Sequence, residues 1–100
     1  MTLYDMLSNA SRGLQILVLW EFSYDQNVLV YKGKIEDLAS SKEMWKHMKC
    51  KVKYYQVMSN TLIIRIKKHF NVLIEDNKYL DNKVFLTEAD ISNLTNKEQL

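Results

Sequence analysis

Proline is absent from this 100-residue chain, and cysteine, glycine and histidine are scarce at one, two and two residues. Without proline, and without a serine- or glycine-rich stretch, nothing marks a linker, so the reading is one domain over residues 1–95 with a frayed polar end at 96–100. A single cysteine cannot close an internal disulfide, and with no Cys/His/Asn pattern around it Cys50 reads as a small buried apolar residue. The two glycines do not form a phosphate-cradling loop. His47 and His69 lie far apart, with no Cys, Asp or Glu at metal-ligand spacing around either, so neither a metal nor a cofactor is expected. No apolar run approaches the roughly 18 residues of a membrane span. The opening MTLYDML lacks a basic region followed by an apolar one, so no signal peptide is expected and the expected compartment is the cytoplasm. The adjacent carboxylates Glu36/Asp37 and Glu75/Asp76 point apart in a helix or a strand, which excludes an acid/base dyad built from either pair. The chain is therefore not expected to be an enzyme.

The net charge of +2 conceals a partition. Residues 1–40 carry three basic and five acidic side chains (−2), residues 41–70 eight and one (+7), and residues 71–100 three and six (−3), which together give +2. A basic block of this kind bears on partners and steering and says little about fold.

Thr2, with Asp5 three positions on, forms a capping box ahead of the stripe Leu3, Met6, Leu7 and Ala10, which predicts a helix over about 3–12 with Gly13 as its left-handed C-cap. "QILVLWEFSYDQNVLVYKGKI" then reads as two strands around SYDQN. The first of these strands is apolar at odd and even positions alike, so both of its faces need cover. Ile16, Val18, Trp20 and Phe22 are expected to meet Leu3, Met6 and Leu7; Leu17 and Leu19 face the tail, a second helix or another molecule.

Ser40 and Glu43 form a capping box ahead of Met44, Trp45 and Met48, which predicts a short middle helix starting near 41. The group MWKHM, with Trp45 at its centre, reads as core packing or as an adaptable apolar contact. A second hairpin follows, with Cys50, Val52 and Tyr54 on the core side beside Leu62, Ile64 and Ile66. That arrangement demands an odd loop, Met58–Asn60 or Ser59–Thr61. "HFNVLIEDNKYL" fits a strand or irregular cover better than a helix, and Thr87 with Asp90 forms a third capping box before a brief helix. The sum is an α+β protein: an antiparallel sheet of two hairpins, about four strands, with an N-terminal helix, a short middle helix and a C-terminal tail to which the pattern assigns no single form.

In that register Lys49, Lys51, Lys53, Tyr55, Arg65 and Lys67 share the outer face of the second hairpin. Such a face suits contact with phosphates or an acidic protein surface, and it equally suits solubility and protection of a sheet edge. The glycine-flanked aromatics of RNA-recognition motifs are missing, so only weak nucleic-acid contact is expected.

With MTLYDML, VLVYKGKIEDL and NTLIIRIK, the first two-thirds of the chain resemble small proteins of phages and prophages of low-GC bacteria. Those with an assigned role include inhibitors of bacterial defence, among them anti-CRISPR proteins. The resemblance implies a protein of the bacterial host cytoplasm that binds a host defence nuclease or ribonucleoprotein stoichiometrically. Its positive charge departs from the inhibitors that mimic DNA with acidic surfaces. Two alternatives stand beside this reading: a nucleic-acid-binding accessory protein using the basic face, and a homodimer or larger homo-oligomer pairing through Leu17 and Leu19.

Overall fold

The computed structural model describes residues 1–41, 44, 47–67 and 84–96. Helix α1 (Leu3–Ser8) starts as its capping box dictates: the Asp5 N–H donates to Thr2 Oγ1 and the Thr2 N–H to Asp5 Oδ2, each at 3.1 Å. It stops well short of residue 12, and Gly13 is not its cap. Ser8 Oγ donates to the Tyr4 carbonyl at 2.7 Å and Asn9 Nδ2 to the Asp5 carbonyl at 3.0 Å. Both side chains thus compete for the carbonyls on which the helix would continue.

Strands β1 (Gln15–Ser23) and β2 (Gln26–Lys34) form the first hairpin around Tyr24 and Asp25, the latter in the left-handed region at φ 53°. Val18 lies opposite Tyr31 but Leu19 opposite Leu29, so Val30 is an extra residue that bends β2. Further along β2, Gly33 has φ +155°, a backbone conformation that side-chain-bearing residues rarely adopt, and this reserves the position for glycine; Tyr31 Oη lies 2.9 Å from where a Cβ would sit. A 3-10 segment (Ile35–Ser40) follows. The helix expected from about 41 falls mostly outside the described residues, as does Trp45; Met44 and His47 are described and buried.

The second hairpin consists of β3 (Val52–Met58) and β4 (Thr61–Ile66). A fifth strand, β5 (Phe85–Leu86), precedes helix α2 (Glu88–Asn96), and the sheet order is β3-β4-β1-β2-β5. The two hairpins were expected to make a purely antiparallel sheet. Instead β1 and β4 pair in parallel, Gln15 opposite Thr61 through Trp20 opposite Ile66, so the sheet is mixed. β1 is the central strand, flanked by β4 and β2, and Ile16 to Trp20 are buried without alternation because both faces of the sheet are covered there.

Helix α1 covers one face: Leu3 and Leu7 pack with Ile16, Val18, Trp20, Val28, Leu62, Ile64 and Ile66 in one cluster. Helix α2 belongs to the other, where Leu17, Leu19, Ile63, Leu86 and Ile91 form a second cluster. Leu17 and Leu19, considered as contact residues, are 2% and 0% exposed and lie in that core. Thr87 and Asp90 start α2 with a reciprocal box, the Asp90 N–H to Thr87 Oγ1 at 3.1 Å and the Thr87 N–H to Asp90 Oδ2 at 2.9 Å.

The second hairpin corrects the expected register. Its turn has two residues, Ser59 and Asn60, at φ 52° and 64°, the left-handed pair that a type I′ turn requires. Met58 therefore opposes Thr61, Gln56 opposes Ile63, Tyr55 opposes Ile64 and Tyr54 opposes Arg65. A bulge at Lys53 then restores phase, so that Val52 meets Ile66. An even loop exchanges the faces: Tyr55 projects on the α1 face and Tyr54, expected inside, on the α2 face with Arg65.

Candidate partner interface at the cationic end of the sheet

The segment leading into β3 is held from both sides. The N–H groups of Leu3 and Tyr4 donate to the carbonyls of Cys50 and Met48 at 2.8 and 3.0 Å, and the Val52 N–H donates to Met1 at 2.9 Å. From the other side the Lys67 N–H donates to the Lys51 carbonyl at 2.8 Å. This brings Lys51 and Lys67 together beside Lys49, all three exposed, at the end of the sheet where β4 finishes and β3 begins. Cys50, between two of them, points inward and is buried; that burial pushes its thiol pKa up, which makes it a poor nucleophile.

Two members of the expected basic face are engaged elsewhere. Lys53 Nζ lies 3.0 Å from Glu21 Oε2 of β1, an ion pair with both side chains nearly half exposed, which contributes little to stability. Arg65 is not a surface cation at all. It is 3% exposed; its Nη1 donates to Asn27 Oδ1 at 3.1 Å and its Nη2 to Glu88 Oε2 at 2.8 Å, while its guanidinium carbon sits 5.3 Å from the centroid of the Tyr54 ring. Asn27 in turn donates to the Leu86 carbonyl at 3.2 Å. The chain Leu86–Asn27–Arg65–Glu88 ties β5, β2, β4 and the start of α2 together, and a buried guanidinium needs partners of this kind. Strand alternation alone puts Arg65 outward; it is buried because α2 covers that face and supplies Glu88.

Tyr55 is exposed but stands on the α1 face, away from Arg65 and its neighbours, so Tyr54 is the tyrosine beside the cations. The signal that finds Tyr54 is the turn dipeptide Ser59-Asn60, in which Asn60 tolerates left-handed backbone and so favours the two-residue turn.

Acidic groups share this end. Glu21, Asp25 and Glu88, with Tyr24 and Asn27, line an open cleft of about 420 Å³ between the first hairpin and α2. Asp25 Oδ1 accepts the Glu88 N–H at 2.7 Å, which joins the hairpin tip to the first turn of the helix. Aromatic side chains edge the same end: Tyr24 is 97% exposed, and Phe22 stacks edge-on with Trp20 at 6.2 Å and with Phe85 at 5.6 Å. Among the described residues no group of three or more His, Cys, Asp or Glu is arranged to hold a metal ion, and no helix is long and apolar enough to cross a membrane. Comparison with protein-family models, curated proteins and solved structures finds no match.

Proposed function

We propose that this chain is a stoichiometric binding protein whose contact surface is the charged, aromatic-edged end of the sheet. Its resemblance to small phage and prophage proteins makes a host nucleic-acid-targeting defence complex, a nuclease or ribonucleoprotein in the bacterial cytoplasm, the proposed target. In this reading it inhibits by occupancy and turns nothing over.

One observation carries the choice of a protein surface over naked nucleic acid. Cations and carboxylates interleave at this surface: Lys53 pairs with Glu21, the exposed Glu88 stands over the buried Arg65, and Lys49, Lys51 and Lys67 lie beyond them. A groove that tracks a phosphate backbone needs cations without interleaved carboxylates, since each phosphate contact depends on released counterions. Mixed charge beside exposed Tyr24, Tyr54, Phe22 and Phe85 instead resembles a protein interface, in which aromatic anchors sit inside a polar rim. The cleft walled by Glu21, Asp25 and Glu88 would accept one basic side chain of the partner.

The test is titration of the purified protein into a panel of bacterial nucleic-acid-targeting nuclease complexes, with cleavage as the readout. The reading predicts that one complex loses activity linearly up to an equimolar break. Full inhibition far below equimolar would indicate turnover and defeat it. Submicromolar binding to bare nucleic acid that persists at about 150 mM salt would transfer the function to the nucleic-acid reading.

A further inference from the structure

We propose that β3 is a self-complementary edge through which two copies of this chain pair antiparallel, forming a continuous sheet about a two-fold axis at Gln56. Among the described residues β3 and β5 are the edges of the sheet, and they differ in kind. β5 is two residues long, a length that discourages pairing. β3 has seven, is exposed from Lys53 to Val57, and carries no charge from Tyr54 to Met58. Tyr55 and Val57 are 55% and 67% exposed, unusual for an aromatic and a β-branched residue side by side on an outer strand.

The backbone fixes which groups are open. A two-residue turn makes Met58 and Thr61 a hydrogen-bonded pair, so the N–H and C=O groups of Met58, Gln56 and Tyr54 point toward β4 and those of Tyr55 and Val57 point away. Beyond the bulge the outer side is already occupied, because the Val52 N–H donates to the Met1 carbonyl and Thr2 bridges to Lys51. The open window runs from Lys53 to Met58.

One antiparallel register fills it. With Gln56 opposite Gln56 of the second copy, Tyr55 meets Val57 and Val57 meets Tyr55, and each pair exchanges both of its N–H···O bonds. A shift of the axis to Tyr55 would bring Ser59 opposite Lys51, where Thr2 already sits. A shift to Val57 would leave Tyr55 without a partner. The charges agree with this register: Lys53 comes opposite the neutral Ser59, whereas a parallel pairing would stack Lys53 on Lys53. On the α1 face Tyr55 and Val57 of both copies form one aromatic and β-branched cluster, and the cationic ends of the two chains point in opposite directions. The inference does not depend on the identity of the inhibited target.

The register gives a charge-swap test. Gln56 is exposed, and the two-fold axis places it directly opposite its own copy. Sedimentation equilibrium should show a concentration-dependent wild-type dimer. Gln56→Glu and Gln56→Lys should each weaken it about tenfold or more, through like charges face to face, and an equimolar mixture of the two variants should restore it. Gln56→Cys should oxidise to a disulfide-linked dimer and Tyr54→Cys should not, because only position 56 meets itself within disulfide reach; Cys50 is buried and does not compete. A wild-type chain that remains monomeric to about 1 mM would overturn the proposal, as would a dimer indifferent to both charge variants or a mixture that does not re-form it. A monomer that takes up an extended peptide along β3 would assign this edge to a partner's strand instead.

Discussion

Arg65 Nη2 lies 2.8 Å from Glu88 Oε2, yet the two side chains differ in burial, 3% against 58% exposed. The arginine is committed to the interior and the glutamate is not, so the pair is energetically asymmetric. Glu88→Ala leaves a buried guanidinium with Asn27 as its remaining side-chain acceptor among the described residues and should cost about 1–3 kcal/mol, the lower part of the range applying if water reaches the vacated position. Arg65→Ala removes packing as well, strands the Asn27 carbonyl oxygen and should cost about 3–5 kcal/mol. Arg65→Lys should recover little, since one ammonium cannot reproduce two fixed guanidinium bonds. Urea unfolding of the three variants gives the order.

Leu19 has no exposed surface and packs with Leu17, Ile63, Leu86 and Ile91. Leu19→Ala should cost about 2–5 kcal/mol, and Leu19→Asp should leave the chain unfolded at ambient temperature. Circular dichroism checks both. A folded Leu19→Asp protein would show that α2 does not cover this face.

Ser59 and Asn60 both hold positive φ, which a side-chain-bearing residue adopts at a cost. Asn60→Gly should raise stability by about 0.5 kcal/mol, whereas Ser59→Val, β-branched at a left-handed position, should lower it by about 1–2 kcal/mol. The shift in denaturation midpoint measures each.

Asp5 titrates below its usual value because the Thr2 backbone N–H, and then the Thr2 hydroxyl, favour its ionised form. A depressed carboxylate contributes stability that is fully present above the unfolded value of 3.8 and is lost as pH falls through the lower folded value. Asp5→Asn should therefore flatten the acid limb of the stability curve below about pH 4 and leave the neutral region's slope unchanged. Denaturant midpoints taken across the acid range test this.

Local chemistry was legible in the sequence. Thr2/Asp5 and Thr87/Asp90 are capping boxes as their spacing implies, and the unbroken apolar run Ile16–Trp20 did mean a strand covered on both faces. What could not be read was long-range. The parallel seam between β1 and β4 leaves no mark on either strand beyond apolar content, so two hairpins read as one antiparallel sheet. The two-residue strand β5 is too short to show a period. In the second hairpin a single residue of turn length decided the site: an even loop exchanged Tyr54 with Tyr55 between faces, and the bulge at Lys53 kept Val52 on the core side. Arg65 looked like one more surface cation because its partner Glu88 lies 23 residues away on an element of its own.

The most direct test of the interface is the association rate of the triple variant Lys49→Glu, Lys51→Glu, Lys67→Glu with the nuclease complex that the wild type inhibits, measured across a range of salt. All three lysines are exposed at one end of the sheet, so folding stability should stay within about 0.5 kcal/mol of wild type per substitution, a separation that a set including Arg65 could not achieve. The account predicts a folded protein that associates at least about tenfold more slowly than wild type at low salt, with the wild-type rate falling as salt rises and the gap narrowing. A folded triple variant that associates at the wild-type rate across the salt range would contradict the assignment of this end of the sheet as the contact surface.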